Sequence, residues 1–107
     1  MEDGNLKLYV LKIILKKNVF DRVKKIVSDS FFTNGGRDIY KAISKIYEDN
    51  PGIEEISISD LRISYFETYF ANQSYQAQKN IKDLISRIEH IQDMNDSVVE
   101  NAIKSMY

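Results

Sequence analysis

Apolar residues recur three and four positions apart over most of this chain, the spacing that gathers them on one face of a 3.6-residue helix. The clearest run is Ile39, Tyr40, Ile43, Ile46 and Tyr47. Phe31 and Phe32 stand just before it, where large side chains anchor a helix start to a core. Between them and the helix lies a polar turn, Thr33 to Gly36, with Thr33 or Asn34 as the expected N-cap. Upstream, Leu6, Tyr9, Val10, Ile13 and Ile14 predict a first helix over 6–17. A buried strand is the rival for so apolar a run, and length favours the helix. Lys16 and Lys17 suit its C-terminal end, where cations meet the negative pole of the helix. After a turn at Asn18, a short helix from about Val19 to Ser28 turns Val19, Phe20, Val23, Ile26 and Val27 inward and Arg22, Lys24 and Lys25 outward.

Glu48-Asp49-Asn50-Pro51-Gly52 is a stop, since proline lacks the N–H to continue a helix and glycine permits a sharp turn. Residues 53–58 read as extended or irregular. Ser57 or Ser59 caps a short helix containing Leu61. In the aromatic stretch 64–73, Tyr65, Phe66, Tyr69 and Phe70 fit a further helical face. From Ser74 onward Ala77, Ile81, Leu84, Ile88 and Ile91 are spaced four, three, four, three, an a/d seam that Ile85 widens, with Lys79 and Asp83 as a pair one turn apart outside it. Asp93 to Asp96 interrupts the pattern, and Asn95 or Asp96 caps a last helix with Val98, Val99, Ala102, Ile103 and Met106 as its stripe. No stop signal precedes Tyr107, which suits a longer polypeptide or a fraying last turn. The expected fold is all-α: a helical head over 1–73 and a helical hairpin over 74–107, together one compact domain.

A chain of 107 residues holds one core without staples. It has no cysteine, which excludes disulfides and thiolate metal sites and suits a reducing compartment. A single histidine excludes any site needing two imidazoles. No apolar run approaches the ~18 residues of a membrane span, and Met-Glu-Asp-Gly-Asn is unlike a signal peptide. A cytoplasmic location is expected. The net charge of −1 is unevenly spread: residues 1–50 carry 10 Lys/Arg against 7 Asp/Glu, and residues 51–107 carry 5 against 9.

The features of residues 6–62 resemble the N-terminal domain of DnaB-family replicative helicases, most of all the phage versions. The pattern is carried by Ile13-Ile14-Leu15, Phe20 with Val23, Phe32, then Arg37, Ile39, Tyr40, Ala42, Ile43, Ile46 and Tyr47, then Ile58-Ser59 and Leu61. The loop at 48–57 lacks the family's short glycine-proline form, and the aromatic stretch 64–73 has no counterpart in the pattern. The resemblance implies the collar tier of a hexameric helicase, built as a trimer of dimers through the hairpin, that receives primase and lines the path of single-stranded DNA. It places the ATP-driven motor in a further domain after residue 107.

Candidate chemistry is sparse. The phosphate-binding GxxxxGK[ST] loop is absent from the sequence, and no catalytic constellation, cofactor site or metal site is expected. Gly35-Gly36-Arg37 opens a helix and fits either an anion at its N-terminus or plain turn geometry. Glu54-Glu55 reads as solvated loop acids, and His90 as a structural or exposed side chain. Lys16, Lys17, Arg22, Lys24 and Lys25 form the candidate phosphate-contacting patch for DNA, with a solvated face as the plain alternative. The seam Ala77, Ile81, Leu84, Ile88 and Ile91, with Val98 and Ala102 on the last helix, is the candidate self-association surface. It buries either against its own bundle or against a second copy. Three functions compete: a helicase collar that docks proteins, a stand-alone helical interaction protein such as a helicase loader or phage regulator, and a small DNA-binding protein. The third is disfavoured because the central helix offers only Arg37 and Asp38 at its N-terminal end.

Overall fold

The computed structural model describes residues 3–69 and 73–106. Six α-helices follow one another among them: α1 (Asp3–Ile13), α2 (Lys17–Val23), α3 (Asn34–Asp49), α4 (Ile58–Ile63), α5 (Tyr75–His90) and α6 (Asp96–Lys104). A 3₁₀ turn, Asp29–Phe31, leads into α3, and a π-helical turn, Ser64–Tyr69, extends α4. The fold is all-α, and no strand occurs among the described residues. No described helix is long and apolar enough to cross a membrane.

α3 is the central element. Ile39, Tyr40, Ala42, Ile43, Ile46 and Tyr47 are all buried, and α1, α5 and the π-helical turn pack around them. Phe32 stacks on Tyr40 with ring centroids 4.8 Å apart, and Phe31 meets Phe32 edge-on at 5.0 Å. Phe20 of α2 approaches Tyr47 at 4.8 Å. The Tyr47 hydroxyl donates to the Ile14 carbonyl at 2.9 Å, which satisfies an oxygen at the end of α1 that no helix turn can reach. α3 approaches α5 closely at Gly35: a Cβ there would lie 2.6 Å from Leu84 Cδ1, so that side chain would have to shift. The backbone turn is made by Asn34 instead, with φ at 50°, a conformation asparagine tolerates better than most residues. Thr33 is the N-cap of α3, but its side chain makes no capping hydrogen bond.

Three helix bounds differ from the sequence expectation, each for a tertiary reason. α1 stops at Ile13 because the backbone of 15–17 turns to meet the loop after α3. There Ile56 N–H donates to the Leu15 carbonyl and Lys17 N–H to the Glu54 carbonyl, both at 2.8 Å, around an isolated antiparallel bridge of Lys16 with Glu55. Lys16 and Lys17 therefore do not close α1; they open α2, which ends at Val23. Residues 64–69 form π-helical backbone that buries Tyr65 and half-buries Phe66. Phe70 and the side chain of Tyr69 lie outside the described residues. Two expected caps form: Ser57 and Asp60 make a reciprocal capping box at α4, and the Asn95 side chain caps α6; Ser74, not singled out in the sequence, caps α5.

The expected division into a head and an arm at residue 73 is not followed by the core. Ile81, Ile85 and Ile88 are at most 2% exposed and belong to one apolar cluster with α1, α3 and α4. α5 packs on those helices, and α6 packs on α1. A 16-residue amphipathic helix buries its stripe against whatever apolar face is nearest, and here that face belongs to the same chain.

Candidate interaction surface

Each expected site residue now has a place. The basic group on and before α2 is largely paired. Lys16 Nζ lies 3.1 Å from Asp96, Lys17 and Lys24 each lie 3.4 Å from Asp21, and Arg22 makes a two-pronged pair with Glu100. In that last pair Nε donates to Oε1 at 2.8 Å and an Nη donates to Oε2 at 3.0 Å. Among the described residues Lys25 is the one cation of the five with no ion-pair partner. Burial works to raise the Asp21 carboxyl, but Lys17 and Lys24 hold it below the usual carboxylate range. The hydrogen bond to Glu100 holds the Arg22 guanidinium proton more firmly still. The structure thus answers the patch with three acids from α2 and α6, Asp21 shared between two lysines, so two of its five positive charges stay uncompensated. Sequence reasoning missed this because Asp96 and Glu100 lie some eighty residues away.

The expected self-association residues separate into two groups. Ile81 and Ile88 are buried in the core, and Ala77 and Leu84 are half-buried beside it. Ile81 and Ile88 therefore cannot face a second copy. Ile91 and Ala102 are half-buried as well, and Val98 alone of the seven is exposed. Ile91 and Val98, but not Ala102, line a groove of about 420 Å³ together with Tyr9, Met94, Val99 and the polar Gln92 and Asp93. Val98 is 65% exposed and Met106 47% exposed. On α6, Val98 faces outward and Ala102 is half-buried one turn on, while Val99 and Ile103 point into the core; Met106 lies in the turn beyond the helix. Asp96 and Glu100 are turned toward Lys16 and Arg22, which leaves that outer face short of charge.

A second depression, about 330 Å³, lies at the start of α3 between Gly35, Gly36, Lys7 and Arg87, over a floor of Leu8, Leu11 and Phe32. Lys7 Nζ sits 5.7 Å from the centre of the Phe31 ring. His90 is exposed, with Nδ1 2.7 Å from the Ser86 carbonyl of its own helix. Glu54 and Glu55 are exposed in the loop after α3. Among the described residues no group of three or more His, Cys, Asp or Glu side chains is placed to hold a metal. No buried side-chain nitrogen or oxygen among them lacks a hydrogen-bond partner. No family model, no curated protein and no solved structure matches this chain.

Proposed function

We propose that this chain is a non-catalytic protein-docking domain, and that it serves as the N-terminal collar of a hexameric replicative DNA helicase, where it supports oligomerisation and receives primase. The observation that carries the docking part is the apolar corner of Tyr9, Ile91, Met94 and Val98. The helicase part rests on the sequence resemblance. The quoted pattern falls mainly on buried positions, Ile14, Phe20, Phe32, Ile39, Ile43, Tyr47 and Leu61 among them, as a shared core would require. Contact with single-stranded DNA through Lys16 to Lys25 is not part of this reading, because four of the five cations are already paired.

One observation favours the stand-alone reading, a helicase loader or small regulator. The α5 seam is spent inside the fold, so the projecting arm that a collar uses for pairing is missing here. Sedimentation of the chain with and without purified primase tests the proposal, using Val98→Asp as the probe. The expected result is association that the substitution abolishes while the circular dichroism spectrum stays unchanged. Association with primase that is unaffected by Val98→Asp, or none at all at high concentration, refutes the docking role of this corner. A reading frame that continues past codon 107 into a GxxxxGK[ST] loop supports the helicase reading over the regulator.

A further inference from the structure

The seat of α6 has a chemistry that is fully visible. α6 presents Asp96, Val99, Glu100 and Ile103, four residues at i, i+3, i+4 and i+7, to α1 and α2. Val99 and Ile103 are 4% and 0% exposed, Glu100 is 6% exposed, and the two acids meet Lys16 and Arg22. The surface formed by α1 and the start of α2 is therefore a receptor for an acidic amphipathic helix. We propose that this seat also takes α6 from a second copy of the chain, reciprocally, so that two chains exchange their last described helices. The inference stands on this seat alone and is independent of the helicase reading.

Three features support the exchange. First, α6 has nine residues, too few to hold a helix by itself in water, so it folds only when seated and is released as a unit. Second, its tether is short and can straighten. Residues 91–95 run from the C-cap of α5 to the N-cap of α6 and contain neither glycine nor proline. Made helical, they would join α5 to α6 in one rod over 75–104, about 45 Å long, that carries Asp96 to Ile103 away from its own seat. Third, the exchanged contacts are identical to the internal ones, so the two forms differ only in the tether and in the entropy of association. The internal helix competes at an effective concentration of about a millimolar, so the closed monomer prevails in dilute solution and exchange rises with concentration. The charge imbalance between the two halves of the sequence then has a use: the basic 16–22 segment and the acidic 96–100 segment recognise each other within a chain or between chains.

The test mixes two single variants of the full chain, Arg22→Glu and Glu100→Arg. Within either variant, like charges meet at the seat, and any exchanged pair of identical variants is mismatched as well. In the mixture, both exchanged seats pair opposite charges. The expected result is a particle of twice the 12.5 kDa chain mass, formed only on mixing, with α6 amides that regain protection from hydrogen exchange. A mixture that sediments as the sum of its parts overturns the proposal, and so does a dimer of either variant alone. A second variant, with residues 92–94 removed, does not rely on charge reversal. Its tether is too short for α6 to fold back, so it should be a dimer with protected α6 amides. A monomer whose α6 amides exchange freely overturns the proposal.

Discussion

Replacing Ile88 separates two accounts of α5. The sequence pattern places Ile88 in an adhesive seam, where an aspartate would lower oligomer order and leave the rest folded. The structure places it at 0% exposure, among the same apolar residues as α1 and α3. Cutting a buried isoleucine back to alanine removes three carbons and leaves a cavity, which costs about 2–5 kcal/mol. Domains of this size are held by about 5–15 kcal/mol in total. A loss of about 3 kcal/mol would lower Tm by roughly 12–24 °C, at about 4–8 °C per kcal/mol for a small domain. Ile88→Asp adds the cost of burying a carboxylate with no cation facing it, several kcal/mol more, and should leave the chain unfolded at 25 °C. Thermal and urea melts followed by circular dichroism read both effects, with sedimentation on the same samples. An Ile88→Asp protein that melts like the parent but has a smaller assembly size would refute this reasoning and restore the arm.

Tyr47→Phe should cost about 1–3 kcal/mol in a urea melt, because the buried Ile14 carbonyl loses its donor; a change below a few tenths would mean that water replaces the hydroxyl. Ser57→Ala removes one half of the capping box at α4 and should cost about 1 kcal/mol, with faster amide exchange at Asp60 as the local signature. Burial, aided by the charge of Asp38, pushes the Tyr65 hydroxyl up to about 12 although its bond to Gln73 works the other way. The folded chain thus keeps a proton that the unfolded chain releases near pH ~10, so this contribution is complete below pH ~10 and is lost as pH rises toward ~12. Urea melts across that range should show stability falling with pH, and Tyr65→Phe should flatten the decline; an equal slope in both proteins would show that Tyr65 is not its source.

How much of this fold was legible along the sequence depended on how local each determinant was. The α3 face was readable because Ile39, Tyr40, Ile43, Ile46 and Tyr47 obey one helical period and Phe32 stands beside it. Caps at Ser57 and Asn95 were readable because cap and helix are neighbours in the chain. The end of α1 was not, since it is set by backbone bonds to Glu54 and Ile56 some forty residues on. Nor was the fate of the α5 seam: a heptad says that a face needs covering, and only the packing of α1 and α3 says by what. The last stripe held two functions in one pattern. Val98 and Val99 are adjacent and both apolar, yet one is 65% exposed and the other 4%. The basic cluster misled for the same reason in part: Asp21 is its neighbour on α2, but Asp96 and Glu100 come from the opposite end of the sequence.

The backbone clasp between 15–17 and 54–56 has a consequence for the order of events during synthesis. Lys16, which receives Asp96, is itself one residue of that clasp, and Arg22 follows on the short helix that starts there. The dock for α6 is therefore complete only after α3 and the loop behind it have left the ribosome and closed on α1. Translation runs from the N-terminus, at about 5–20 residues per second, so residues 96–104 emerge seconds after their berth can be finished. In a polysome, neighbouring nascent chains offer the same empty berth at close range.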